Sequence, residues 1–77
     1  MKEKVIEILK GIRSECDFET TTDLIDGGYL DSFDVVALIS ELTEEFDVQI
    51  TINDMTPENF NSADSIVALI ERIEDEM

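Results

Sequence analysis

Three stretches of this chain repeat apolar residues at the spacing of one helix face, and no stretch alternates long enough to build a sheet. Val5, Ile8, Leu9 and Ile12 recur at i, i+3, i+4 and i+7 in a segment of about residues 2–15. Val35, Leu38, Ile39, Leu42 and Phe46 form a similar stripe over residues 32–46, and Ile66, Leu69, Ile70 and Ile73 another over residues 62–76, with Ser62 placed to cap its start. Val48, Ile50 and Ile52 alternate with polar neighbours. A lone strand would have nothing to pair with, so an extended loop is expected there. In the following "TPENF", Thr56 can cap a short helix and Pro57 suits its first position. The expected fold is all-α, a small bundle of three main helices plus one short helix, forming a single domain over residues 1–77.

With 77 residues, such a domain buries only about 60% of its unfolded surface. Little core is left to wall a deep catalytic cleft. The single cysteine, Cys16, excludes an internal disulfide, and an unstapled small fold suits a reducing compartment. The start, "MKEKVIEILKGI", is charged and lacks the continuous apolar centre of a signal peptide. No apolar run approaches membrane-spanning length. A cytoplasmic monomer is expected.

Charge narrows the partners. Twenty acids against five bases give a net charge of −15, which disfavours nucleic acid and anionic membranes and favours basic protein surfaces. Lys2, Lys4, Lys10 and Arg13 all lie on the first helical segment, so the remainder is more acidic still. Gly11 weakens that helix by about 1 kcal/mol relative to Ala.

Residues 16–30, "CDFETTTDLIDGGYL", read as a long loop, with Gly27 and Gly28 marking a turn. Phe18, Leu24, Ile25, Tyr29 and Leu30 can pin it to the core. After it comes "LDSFDVVALI". With Phe33 set at zero on a wheel of about 100° per residue, the core residues of the second helix fall between about 140° and 240°. Phe33 therefore points away from the core, with Val36 and Ser40 on one flank. Asp34, Glu41 and Glu45 lie on the other, and Glu44 falls close to Phe33. An exposed aromatic edged by acids is a plausible anchor for a protein partner. Ser32, between Asp31 and Asp34, reads from its position as the cap of this helix, with both acids favoured by the helix dipole. The alternative is an exposed hydroxyl awaiting modification, its two acids then contacting a metal ion or basic residues on the modifying enzyme.

"LDSFDVVALISELTEEFDVQI" resembles the signature of the acyl carrier protein family, D-S-L followed by an acidic and apolar helix ending in E-E-F. The similarity extends to helix order, length and charge over nearly the whole chain. It implies that Ser32 carries a 4′-phosphopantetheine arm, transferred from coenzyme A by a phosphopantetheinyl transferase. The thiol of the arm would hold an acyl or aminoacyl group as a thioester. By the same resemblance Asp31 would help bind the transferase's magnesium ion, and Phe33 and Val36 would touch partner enzymes. Asp34, Glu41, Glu44 and Glu45 would meet basic residues on acyl- or aminoacyl-loading enzymes. Ala37 stands where the fatty-acid branch often has glutamate, and Ser40 where it often has an apolar residue. "DGGYLDS" and "PENFNSADSIVALIERI" are similar instead to the D-alanyl and peptidyl carrier branches. An aminoacyl cargo loaded by an adenylating enzyme is thus the companion expectation to an acyl one.

The chain has no histidine, and Cys16 lacks an evident activating base, so a catalytic role for the chain itself is not expected. The loop pattern of an EF-hand is absent. An acidic interaction module without a prosthetic group remains the rival of a different class. It would share Phe33 and the charge but have no need of Ser32.

Overall fold

In a computed structural model the chain forms α1 (Lys2–Ile12), α2 (Ser32–Phe46), a 3-10 turn (Ile52–Asp54), α3 (Pro57–Phe60) and α4 (Ala63–Glu76). The structure describes residues 1–14 and 16–76, and for Ile52 the backbone alone. The expected all-α bundle with three main helices and one short one is what forms, and no strand occurs among the described residues.

α1 packs against both α2 and α4. A helix with two neighbours buries a wide arc, so Ile6 joins Val5 and Leu9 in the core while Ile8 and Ile12 are only half-buried. The periodic stripe read from the sequence misses Ile6 for that reason. α1 also ends earlier than its apolar pattern suggests. Arg13 turns extended, with its N–H bonded to the Leu9 carbonyl at 2.8 Å. Gly11 weakens the last turn, and the Arg13 side chain is drawn across the bundle. The last residue of the expected segment, Glu15, lies outside the described residues.

α2 buries Leu38 and Leu42 fully and rests Val35, Ile39 and Phe46 against the same core. Asp47 closes it in the left-handed conformation (φ 53°, ψ 47°), which Asp tolerates better than a branched residue. α4 contributes Ala63, Ile66, Leu69 and Ile70. Its expected cap is present: the Ser62 hydroxyl accepts from the Ser65 N–H at 3.0 Å, and Ser65 Oγ accepts from the Ser62 N–H at 3.1 Å. At α3, Pro57 takes the first helical position as expected. Thr56 holds the cap position, but its hydroxyl makes no cap bond; its carbonyl instead accepts from Asn59 N–H. Val48 is buried and Ile50 half-buried along the extended connection; the side chain of Ile52 lies outside the described residues.

The long loop is held by Phe18, Leu24 and Leu30, all buried. Tyr29 does not join them and stays exposed, with its ring beside the turn at Gly27. A Cβ on Gly27 would sit 2.7 Å from the Asp23 carbonyl oxygen and 2.9 Å from the Tyr29 ring, and Gly28 has φ +78°. Asn61 staples this turn to the start of α4. Its side-chain oxygen accepts from Ile25 N–H and Asp26 N–H at 3.0 and 3.1 Å, and its backbone carbonyl accepts from Leu24 N–H at 2.8 Å. Asn61→Ala is expected to cost about 1–3 kcal/mol in a denaturant melt, because two loop amides lose their acceptor. Amide exchange at Ile25 and Asp26 should accelerate more than exchange in α2.

Candidate functional site

The site grows from the junction of this loop with α2. Asp31, not Ser32, caps the helix. Its Oδ1 accepts from Asp34 N–H at 2.9 Å, and Asp34 Oδ2 accepts from Asp31 N–H at 3.2 Å, closing a reciprocal capping box. This corrects the reading of Ser32 as the cap. A carboxylate at the positive end of a helix combines hydrogen bonding with charge, and Asp34 stands at the right spacing to return the bond. Ser32 is left at the first helical position, exposed, with its hydroxyl outside the cap.

Arg13 completes the arrangement. Its Nε donates to Asp34 Oδ2 at 2.9 Å, and its Nη2 lies 3.8 Å from Asp31 Oδ2. Partial burial pushes the Asp34 carboxyl up, but hydrogen bonds from Arg13 and the Asp31 backbone, with the guanidinium charge, outweigh it and hold the group below the ordinary carboxylate range. The stability from this clasp is present above the ordinary carboxylate pKa and is lost as pH falls through the lowered one.

Beside Ser32 a cavity of about 260 Å³ opens between the loop, α2 and α3. Ile25, Val35, Met55, Pro57 and Phe60 make it largely apolar, with Asp31 and Ser32 at its edge. An exposed hydroxyl bordering an apolar recess can take a bulky substituent without displacing any core side chain. One residue on, Phe33 is 86% exposed, and Val36, nearly a turn further, is 59% exposed. Both stand where the wheel places them. Glu41, Glu44 and Glu45 are exposed beside them, though Glu45 also meets Lys4 of α1 at 3.4 Å. Asp34 differs from the other acids in being half-buried and held by Arg13. Among the described residues no group of His, Cys, Asp and Glu could hold a metal ion.

Residues 2–73 match the family defined by the phosphopantetheine attachment site. The chain belongs to the acyl carrier protein family. The carrier is 32% identical over 78 residues to the D-alanyl carrier protein of Lactococcus lactis subsp. lactis, covering 99% of each chain. It is 38% identical over 71 residues to an acyl carrier protein of Streptococcus thermophilus, covering 92% of this chain and 86% of that one. A D-alanyl carrier protein of Streptococcus sanguinis is 35% identical over 68 residues, covering 87% of this chain and 86% of that one. The chain is thus a carrier of acyl groups on covalent 4′-phosphopantetheine, served by modifying and loading enzymes. No helix among its described residues is long and apolar enough to cross a membrane.

The sequence places Phe33 and Val36 on an exposed face, as observed, but misses the contact of Arg13 with Asp34, because that contact spans 21 positions. The available signal is weak: a base at the end of α1 in a chain with few bases.

Proposed function

We propose that Ser32 is the attachment residue of this carrier and that the exposed side of α2 is the surface its enzymes read. The observation that carries the reading is the release of the Ser32 hydroxyl from capping by the Asp31–Asp34 pair, beside an apolar cavity. Attached there, the arm supplies a thiol that holds an acyl group as a thioester. The residues of the chain do the rest. Asp31 stands next to the hydroxyl with one carboxylate oxygen beyond its cap bond, and would help bind the magnesium ion of a phosphopantetheinyl transferase. Phe33 and Val36 offer apolar contact, and Glu41, Glu44 and Glu45, with Asp34 at the edge, meet basic residues of loading enzymes. The protein itself is a non-catalytic, monomeric, cytoplasmic single-domain carrier in this reading. The absence of histidine supports the non-catalytic role, and an unstapled fold with a single cysteine suits a reducing compartment.

Incubation with coenzyme A, Mg²⁺ and a phosphopantetheinyl transferase, then peptide mapping by mass, tests the assignment. The adduct should sit on the peptide containing Ser32, and an adduct confined to another serine would refute it. A D-alanyl cargo, delivered by an adenylating enzyme, is a second reading. The Lactococcus relative aligned end to end bears that name, and "DGGYLDS" is similar to that branch.

Phe33→Ala separates docking from folding. With a side chain 86% exposed, its loss should change stability by no more than about 0.5 kcal/mol. Affinity for a loading enzyme should fall about tenfold or more, as for an interface anchor. Equal losses in both measurements would assign Phe33 to the core.

A further inference from the structure

We infer that Arg13 is a positioning residue for the modification of Ser32, acting through Asp34 to fix the first turn of α2 and the orientation of Asp31. The inference rests on the assignment of Ser32 as the attachment residue.

Three observations converge on it. The first is connectivity. Asp34 Oδ2 accepts from two donors at once, Arg13 Nε at 2.9 Å and Asp31 N–H at 3.2 Å. The guanidinium therefore orients the same oxygen that closes the capping box. Without Arg13 the Asp34 side chain keeps only the weaker of the two bonds and gains the freedom to turn outward into water. The box then loosens on both sides of Ser32.

The second is placement. Arg13 lies past the end of α1 in extended backbone, where the long loop begins. Asp31 and Asp34 lie where that loop ends. The clasp thus closes the loop at its two ends and ties it to the turn that carries the hydroxyl. Phe18 and Leu24 bury the middle of the segment and Leu30 its far end, and the clasp adds to that packing a tie between the end of α1 and the first turn of α2.

The third is charge. Two aspartates flank Ser32 in a chain of net charge −15, and the substituent it receives is an anionic phosphodiester. The helix dipole offsets part of that repulsion. Arg13 adds a full positive charge, nearest to Asp34 and more loosely paired with Asp31 at 3.8 Å. This asymmetry holds Asp34 inward while leaving Asp31 the more accessible of the two to a cation brought by the modifying enzyme. Arginine suits this position because its planar fork can reach two carboxylates from fixed directions, which an ammonium cannot reproduce.

The test is the kinetics of modification of the full chain by a phosphopantetheinyl transferase with coenzyme A and Mg²⁺, read by intact mass well below the melting temperature. Arg13→Gln should raise the KM for the carrier about tenfold while kcat stays within about twofold, because the loosened first turn must be re-ordered when the carrier docks, which weakens binding, and the docked groups then react as before. Arg13→Lys should recover less than half of the loss. Arg13→Gln combined with Asp34→Asn should be no worse than the poorer single variant. A merely structural role predicts unchanged KM for every variant that circular dichroism shows to be folded, and that result overturns the inference. Additive losses in the double variant also overturn it, since Arg13 would then act elsewhere. If Arg13→Gln fails to fold, Arg13→Lys decides, with an unchanged KM counting against the proposal. Failure of the unsubstituted chain to gain mass refutes the Ser32 assignment instead, so the two failures are distinct.

Discussion

Ser32→Ala should remain folded yet never accept the arm. Incubated with coenzyme A and a competent transferase, the unsubstituted chain gains the mass of phosphopantetheine and the variant gains none. The two halves of this expectation have separate physical grounds. Loss of modification follows from losing the only atom that can form the phosphodiester at this position. Preservation of the fold follows from the capping box. A serine that capped α2 would cost about 1 kcal/mol when replaced by alanine. Here Asp31 and Asp34 cap the helix, and Ser32 is exposed at its first position. The cost should therefore lie within about 0.5 kcal/mol, and alanine's higher helix propensity opposes even that. An adduct on the variant would move the attachment elsewhere. A large drop in melting temperature would mean that the hydroxyl has a structural partner after all.

Distance along the chain separates the features that can be read from the sequence from those that cannot. α2 and α4 are legible because their apolar stripes are regular and because Ser62 and Ser65 satisfy one another within one turn. Phe33 and Val36 are legible as exposed because a helix wheel needs no tertiary information once the core face is known. The choice between Asp31 and Ser32 as cap is also local, but residue preference alone does not separate them, and reading Ser32 as the cap leaves out the return bond from Asp34. Other features depend on neighbours far along the chain. Ile6 is buried because α1 meets two helices. Asp34 turns inward because Arg13 reaches it. Glu45 pairs with Lys4 because of the register of α1 against α2. No pattern within one helix encodes these contacts. They also grade the acids of α2. Glu41 and Glu44 are exposed and open to a partner's bases, whereas Asp34 and Glu45 must share themselves between this chain and any partner.

The largest loss of stability from a single side chain near the site should come from Phe60→Ala. α3 has four residues, far too few to be helical alone. It persists because Phe60, only 2% exposed, plugs the core from its last position. Removing a buried phenylalanine ring costs about 3–5 kcal/mol. A chain of this length has roughly 4–12 kcal/mol in total, so a quarter or more of the stability is at stake. The melting temperature should fall by roughly 15–30 °C, whereas Phe60→Leu should lose well under half as much. The damage should also spread in a definite order. Asn61 follows Phe60 directly and carries four bonds that hold Leu24, Ile25 and Asp26, so the loop should loosen together with α3. α2 keeps its own anchors in Leu38 and Leu42 and its own cap. Hydrogen exchange should therefore show amides 24–26 and 58–60 opening well before the interior of α2. Modification of Ser32 should survive in the folded fraction, because α2 positions the hydroxyl and α3 only walls the cavity beside it. Simultaneous opening of all three regions would show instead that α2 depends on α3 for its place, and the attachment turn would then be no more stable than the shortest helix in the bundle.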